Sequence, residues 1–247
     1  MTGTTTTADF DWRQHGAVLF DLDGVITPTA EIHEHAWGEL FADFDYTEAD
    51  YLRYIDGKPR YDGVRSFLAS RNVTLPDGDP DDAPGTDTVC ALGNRKNHLF
   101  NTILERDGIA PYPGSLATID LLDDAGIPSA IVSSSKNARS VLEAAGLGDR
   151  FDVVVDGAVA ADEHIAGKPA PDMYLEAAKR VGVAPARAVV VEDAVSGVTA
   201  GSAGGFAVVI GVDRGAGADT LLDHGATFVV DDLADLLHVH RTRTSDS

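Results

Sequence analysis

Two aspartates separated by one residue, Asp21 and Asp23 in the run D-L-D-G at 21–24, can divide the labour of a group transfer. On an extended backbone, side chains two apart lie on the same side. One carboxylate can then act as nucleophile while the other moves the proton. Gly24 lets the chain turn away without a side chain blocking the space in front of them. Downstream come Ser133, Lys168 and a second acidic pair, Glu192-Asp193. Four carboxylates in one place are costly unless a cation sits among them, and an all-oxygen set suits Mg²⁺. A lysine and a hydroxyl beside such a pool can grip a phosphoryl group and stabilise its transfer. D-x-D-G alone could equally be a turn ending a strand; the later residues at further strand ends argue against that.

These residues need elements that bring them together. Short, Val-rich apolar runs recur at 17–20, 130–132, 153–155, 188–191, 206–210 and 228–230. They do not alternate, as expected of strands buried on both faces of a parallel sheet. Helix-period segments follow at 115–125, 138–145, 171–181 and 195–203, so the pattern is α/β with a doubly wound parallel sheet. In such a sheet ligands bind beyond the carboxyl ends of the strands. Asp21, Ser133 and Glu192 each follow an apolar run there, and Lys168 lies in the loop after the third run.

More than one loop must separate the first two strands, because long structureless loops are uncommon in compact domains. The intervening stretch has helical patterns of its own at 30–41, 61–70 and 92–106. It reads as an inserted helical cap. The expected organisation is an α/β core at 15–32 and 109–240, a cap at 33–108, and flexible tails at 1–14 and 241–247. Within the cap, 75–87 (L-P-D-G-D-P-D-D-A-P-G-T-D) spaces Asp77, Asp79 and Asp81 by two, like a calcium loop. The sixth and twelfth positions are Asp82 and Thr88 instead of Gly and Glu, so it reads as a solvated loop.

Forty Asp and Glu against nineteen Lys and Arg leave a formal charge of −21 over 247 residues. A field of that sign disfavours nucleic acid and anionic membranes as partners. An anionic substrate then needs local cations or a metal. The single cysteine, Cys90, cannot form an internal disulfide. The Thr-rich start lacks a signal-peptide pattern and no run approaches a membrane span, so a soluble cytoplasmic protein is expected.

The segments D-L-D-G-V at 21–25, Ser133, G-K-P-A-P-D around Lys168, and Glu192-Asp193 resemble, in order, the four motifs of the haloacid dehalogenase superfamily. The resemblance covers about 17–237. It implies a Rossmann-like core with an inserted cap, and a phosphoryl group carried on an aspartate. Asp21 would be the nucleophile and Asp23 the general acid/base. Ser133 and Lys168 would hold the phosphoryl group. Asp21, the carbonyl of Asp23, Glu192 and Asp193 would surround Mg²⁺. The superfamily's dehalogenases lack the second aspartate and the metal, so Asp23 points away from them. Lys58 is a cap lysine but does not match the motif of the phosphonate hydrolases.

The run 21–37, together with Y-P-G at 112–114 and S-K-N at 135–137, resembles the β-phosphoglucomutase family more closely. Pro28 departs from it, standing where that family usually has Asp. The resemblance implies a phosphorylated sugar as partner and a second phosphate subsite in the cap. Arg60, Lys96, Lys136 and Asn137 are candidates for that subsite, and an arginine suits bidentate phosphate recognition. Solvated surface positions are the alternative for Arg60, Lys96 and Lys136. Thr29 and His33, at i and i+4, share a helix face. Either they orient Asp23, or Thr29 caps the helix and His33 packs beneath the cap. Trp37 reads as core, His35 as solvent-facing, and the glycines at 201–205 as a helix end. Three activities fit: a mutase converting β-glucose 1-phosphate to glucose 6-phosphate through β-glucose 1,6-bisphosphate, a sugar phosphatase, or a sugar-phosphate-binding protein without turnover.

Overall fold

The computed structural model describes residues 6–7, 10–56 and 58–237. Six parallel strands form one sheet: β1 (Ala17–Phe20), β2 (Ser129–Val132), β3 (Val153–Val155), β4 (Ala188–Glu192), β5 (Val208–Val212) and β6 (Phe228–Val230). Their order is β3-β2-β1-β4-β5-β6. The direction of winding therefore reverses at β1, where an open α/β sheet places its ligand crevice. The register pairs Phe20 with Ile131 on one side and with Val191 on the other. That register brings the ends of three strands level.

Because side chains alternate across a sheet, each apolar run feeds two cores. Val18, Phe20, Val189 and Val191 face one cluster, with α5 (Pro113–Ala125) and α6 (Ala138–Ala144) packed over it. Leu19, Val190 and Val209 face the other, covered by α8 (Asp172–Arg180), α9 (Val195–Ala203) and α10 (Ala218–Asp223). The short α7 (Gly157–Asp162) follows β3. Local signals fix the helix ends: α5 starts on Pro113 and stops at Gly126, which has a positive φ of 66°.

The cap is built from α1 (Thr29–Leu40), α2 (Glu48–Asp50), α3 (Arg60–Ser70) and α4 (Val89–Asp107). A single π turn at Tyr51–Ile55 continues α2. Trp37, Phe41, Phe67 and Val89 form an apolar cluster of the cap's own. The Thr88 hydroxyl caps α4 by accepting from Ala91 N, 3.1 Å away. Among the described residues no helix is long and apolar enough to cross a membrane.

The structure corrects two expectations of order. Residues 10–14 are not a flexible tail: Phe10 and Trp12 are buried and pack edge to face at 4.7 Å, with Phe10 also against Phe228. Their aromatic area offsets the ordering entropy of the segment. The fifth strand runs from Val208, two residues later than the apolar run suggests, because Phe206 packs edge to face on Tyr174 outside the sheet. The tail expected at 241–247 lies outside the described residues.

Candidate active site

The core side of the site hangs on the ends of β1, β2 and β4. Asp21 continues β1, its N–H donating to Val191 O at 2.9 Å. Gly24 turns the chain with φ +83°, and a Cβ there would overlap the Asp193 carboxylate, so two independent constraints demand glycine. Lys168, 5% exposed, donates to Asp21 Oδ1 at 2.5 Å, Glu192 Oε1 at 2.5 Å and Val132 O at 2.9 Å. All three ammonium protons are thereby used.

Glu192 is equally committed. Its Oε1 also accepts from the Tyr174 hydroxyl at 2.9 Å, and Oε2 accepts from Asp193 N and Ala194 N at 3.1 Å each. Gly197 leaves room for it, since a Cβ there would overlap the Glu192 carboxylate. One oxygen from each of Asp21, Glu192 and Asp193 lies within 4.8 Å of the others. Burial raises the Asp21 carboxyl well above its ordinary range; Lys168 opposes the rise, and Glu192 and Asp23 add to it. Burial likewise raises Asp193, helped by the charges of Asp56, Asp21 and Glu192. Burial alone would depress the Lys168 ammonium, but the two carboxylates outweigh it and hold it protonated. This is an excess of negative charge with its oxygens converging, the setting a hard cation relieves.

Asp23 faces the cap. Its Oδ1 accepts from the Thr29 hydroxyl and lies 3.4 Å from His33 Nε2; its Oδ2 accepts from the Ser133 hydroxyl at 3.3 Å. His33 Nδ1 in turn meets Lys96 Nζ. With the proton on Nε2, a tautomer assigned from these partners, neutral His33 donates to Asp23 and accepts from Lys96. Burial pushes Asp23 upward, but the charge and hydrogen bond of His33, with Thr29 and Lys96, outweigh it and bring the carboxyl to about 2. Burial first, then the Lys96 charge, lowers His33 below its usual value. Burial, with a contribution from Arg60, brings Lys96 down to about 7 against the pull of Asp23.

His33 also stacks on Phe100 at 4.2 Å, so it meets Asp23 on one side and packs beneath the cap on the other. The capping reading of Thr29 does not hold. Pro28 occupies the cap position and Thr29 is the first helical residue, with its hydroxyl drawn to Asp23.

A cavity of about 450 Å³ separates core from cap. Asp21, Asp23, Lys168, Glu192 and Asp193 line it from below, and His33, Arg60 and Lys96 from the cap side. Lys136 lines it while remaining exposed. Asn137 lines it and donates from Nδ2 to Asn97 Oδ1 at 2.5 Å, joining the core to the cap. Ser133 and Thr29 are fully buried, absent from the lining, and touch Asp23 instead. Trp37 is 3% exposed within the cap cluster, as its core reading requires, although it too borders the cavity. His35 faces solvent and pairs with Glu39 at 3.2 Å.

Sequence reasoning missed Tyr174 and Asp56, and saw Asn97 only as part of a basic cap motif. Tyr174 sits among the apolar positions of α8, where helix periodicity reads it as core and says nothing of its hydroxyl. Asn97 stands beside Lys96 in R-K-N, which resembles a basic cap motif of the β-phosphoglucomutase family, but nothing in that run shows its contact with Asn137. Asp56 borders the cavity because the π turn ends just before it, and nothing in the local sequence announces that turn.

The sequence model of the haloacid dehalogenase-like hydrolases matches residues 15–205. The chain is 50% identical over 240 residues to a β-phosphoglucomutase of Mycobacterium bovis, covering 90% of this chain and 91% of that protein. Identity to hexitol phosphatase A of Escherichia coli is 34%, over 77% of this chain and 80% of that one. The crystal structure of a β-phosphoglucomutase from Clostridium difficile superposes with a TM-score of 0.74 at 26% identity, covering 90% of this chain and 93% of the other.

Proposed function

The chain belongs to the haloacid dehalogenase-like hydrolase family as a β-phosphoglucomutase-like enzyme, and we propose that it interconverts β-glucose 1-phosphate and glucose 6-phosphate through β-glucose 1,6-bisphosphate. The observation that carries this reading is a cavity with a phosphoryl-transfer floor and a cationic roof. Asp21, Asp23 and Lys168 lie below, and Arg60 and Lys96 come from the cap. A phosphatase needs only the floor; a mutase must also hold a phosphate that is not being transferred. The 50% identity to a β-phosphoglucomutase supports the same choice.

In this mechanism the bisphosphate first phosphorylates Asp21. Asp23, held ionised, takes the proton of the C6 hydroxyl of β-glucose 1-phosphate as that oxygen attacks the phosphoryl group, which frees the Asp21 carboxylate and forms the bisphosphate. The bisphosphate then turns so that its C1 phosphate faces Asp21. Asp21 attacks that phosphorus and is phosphorylated again, while Asp23 returns the proton to the departing C1 oxygen and glucose 6-phosphate leaves. Lys168 borders the cavity beside Asp21 and brings its charge to the transferring oxygens, and Arg60 with Lys136 and Asn137 holds the far phosphate. Ser133, expected from the sequence to hold the phosphoryl group, is buried away from the cavity and steadies Asp23 instead. Thr29 and His33 fix the Asp23 carboxylate so that it reaches both sugar oxygens in turn.

Asp21, the Asp23 carbonyl and Asp193 would hold Mg²⁺, with Glu192, whose oxygens already accept four hydrogen bonds, reaching it through water. When bound, Mg²⁺ supplies positive charge against the phosphoryl oxygens and lets Asp21 and Asp193 ionise together. The donor set fits that ion, being all oxygen, buried and over-charged without it.

The test follows glucose 6-phosphate and inorganic phosphate in one tube containing β-glucose 1-phosphate, Mg²⁺ and a trace of the bisphosphate. The mutase forms glucose 6-phosphate with little free phosphate. Free phosphate without isomerised sugar makes the protein a phosphatase, the activity named for the Escherichia coli relative.

A further inference from the structure

The sequence presents 75–87 as a solvated acidic loop, yet the structure ties it down from within. Asp82 Oδ2 accepts from Asp79 N at 3.0 Å and from the Thr88 hydroxyl at 2.7 Å, and Asp79 Oδ1 accepts from Asp81 N at 2.9 Å. Asp77 holds Arg65 of α3 at 2.8 Å through its side chain and accepts from Cys90 N through its carbonyl. Asp79 and Asp82 are thus spent on the loop's own shape and Asp77 on its tie to α3, and the residue the loop delivers to the cavity lining is Pro80.

Asn94 of α4 connects that residue to the roof of the site. Its Nδ2 donates to Pro80 O at 2.9 Å and to Asp82 O at 3.0 Å, while its Oδ1 accepts from the Tyr61 hydroxyl at 3.0 Å. Tyr61 follows Arg60, whose guanidinium lies 5.7 Å from the centre of the Tyr61 ring. Both side chains press on α4 where it has no side chain: a Cβ on Gly93 would stand 2.6 Å from the Tyr61 ring and 2.9 Å from Arg60 Cγ. One amide therefore spaces Pro80 from Arg60.

We propose that 75–87 is a specificity wall of the cavity, with Pro80 as its face and Asn94 as the positioning residue that sets its distance from Arg60. A proline ring suits that task. It has a fixed φ, no amide donor to reward a wrong hydroxyl, and little freedom to yield to a larger sugar. The wall admits a single sugar carrying phosphate and rejects one extended by a further sugar unit. This inference rests on the cavity being the sugar-phosphate site proposed above.

The experiment compares Asn94→Ala and Pro80→Gly with the unaltered protein on three probes in Mg²⁺: acetyl phosphate, β-glucose 1-phosphate and β-maltose 1-phosphate. Acetyl phosphate reports phosphorylation of Asp21 without a sugar, and its rate is expected to stay the same in both variants. The ratio of kcat/KM for the monosaccharide to that for the disaccharide is expected to fall about tenfold in both, the scale on which apolar walls discriminate. Asn94→Ala is also expected to raise KM for β-glucose 1-phosphate with kcat kept, because Tyr61 and Arg60 lose their spacer. An unchanged ratio in both variants overturns the wall. So does a fall matched by equal loss of the acetyl phosphate reaction, which marks general damage. Failure of the mutase reading shows separately, as no glucose 6-phosphate from the unaltered protein. The ratio is then read from phosphate release, with the same fall required.

Discussion

The floor and the roof of the cavity are built by different means. On the floor, Lys168 and Glu192 are 5% and 1% exposed, share a hydrogen bond of 2.5 Å, and have their remaining atoms taken by Asp21, Val132, Tyr174, Asp193 and Ala194. Asp21, Asp23, Glu192 and Asp193 sit at or just beyond strand ends, so the sheet register places them, and Lys168 reaches in from the loop after α7 to bond two of them. On the roof, Arg60 is half-buried, Lys58 is exposed, and position depends on side chains leaning on a gap at Gly93 and on a loop held by Asn94. Backbone pairing positions the floor, whereas side-chain packing positions the roof.

The largest effect should come from the floor. Asp21→Asn keeps the shape of the side chain and removes the nucleophile, so kcat is expected to fall by at least about 10³-fold with the fold intact. Retained turnover would break the assignment of chemistry to the strand ends. Gly197→Ala reaches the same place without touching a functional side chain. Its methyl group displaces Glu192 and leaves Lys168 and Tyr174 without their shared acceptor. Loss of such outer support is expected to cost about 10–100-fold in activity and in Mg²⁺ affinity, read by kinetics and by titration calorimetry.

On the roof, Arg60→Ala should act on binding. KM for β-glucose 1-phosphate is expected to rise about tenfold or more while phosphorylation by acetyl phosphate is unchanged, since a charged hydrogen bond contributes about 1.5–3 kcal/mol. Equal loss on both substrates would move Arg60 to the floor's work.

Lys96 stands between the two regions, and its burial has a stability signature. Folding lowers it to about 7, whereas an unfolded lysine titrates near about 10.4. Between those values the unfolded chain binds the extra proton, so stability rises with pH across that window, by at most about 1.4 kcal/mol per pH unit. Lys96→Met should remove that rise, seen as a flatter Tm against pH, and should be more stable than the unaltered protein at pH 7. The smallest effect is expected at the surface. Arg65→Ala breaks pairs with Asp62 and Asp77 that are about half exposed, so the loss should be under about 1 kcal/mol, measured by urea unfolding.

The sequence shows the floor more clearly than the roof for the same physical reason. Apolar runs that fill both faces of a sheet mark strand ends, and strand ends mark Asp21, Ser133 and Glu192. Lys168 needed its motif as well as its loop. Period 3.6 made α1, α3 and α4 legible but not α2 and its π turn, and α4 begins at Val89, earlier than its apolar pattern at 92–106, because the Thr88 hydroxyl caps it. What the cap helices hold was not legible. The link of Pro80 to Tyr61 runs through Asn94, a polar side chain on a helix, and periodicity assigns such a residue to solvent. Thr29 shows the same limit. Its place before a helix suits a cap, and only the approach of Asp23 turns its hydroxyl to another task. Phe10 and Trp12 were hidden by a polar, Thr-rich neighbourhood that says nothing about which distant surface needs covering.

The central claim is that Asp21 carries the phosphoryl group. The direct measurement is mass spectrometry of the protein, acid-quenched after brief exposure to β-glucose 1,6-bisphosphate and Mg²⁺ and digested at low pH. One added phosphoryl group is expected on the peptide containing Asp21, and none on the Asp21→Asn variant. A phosphoryl group on another residue, or its persistence in that variant, would contradict it.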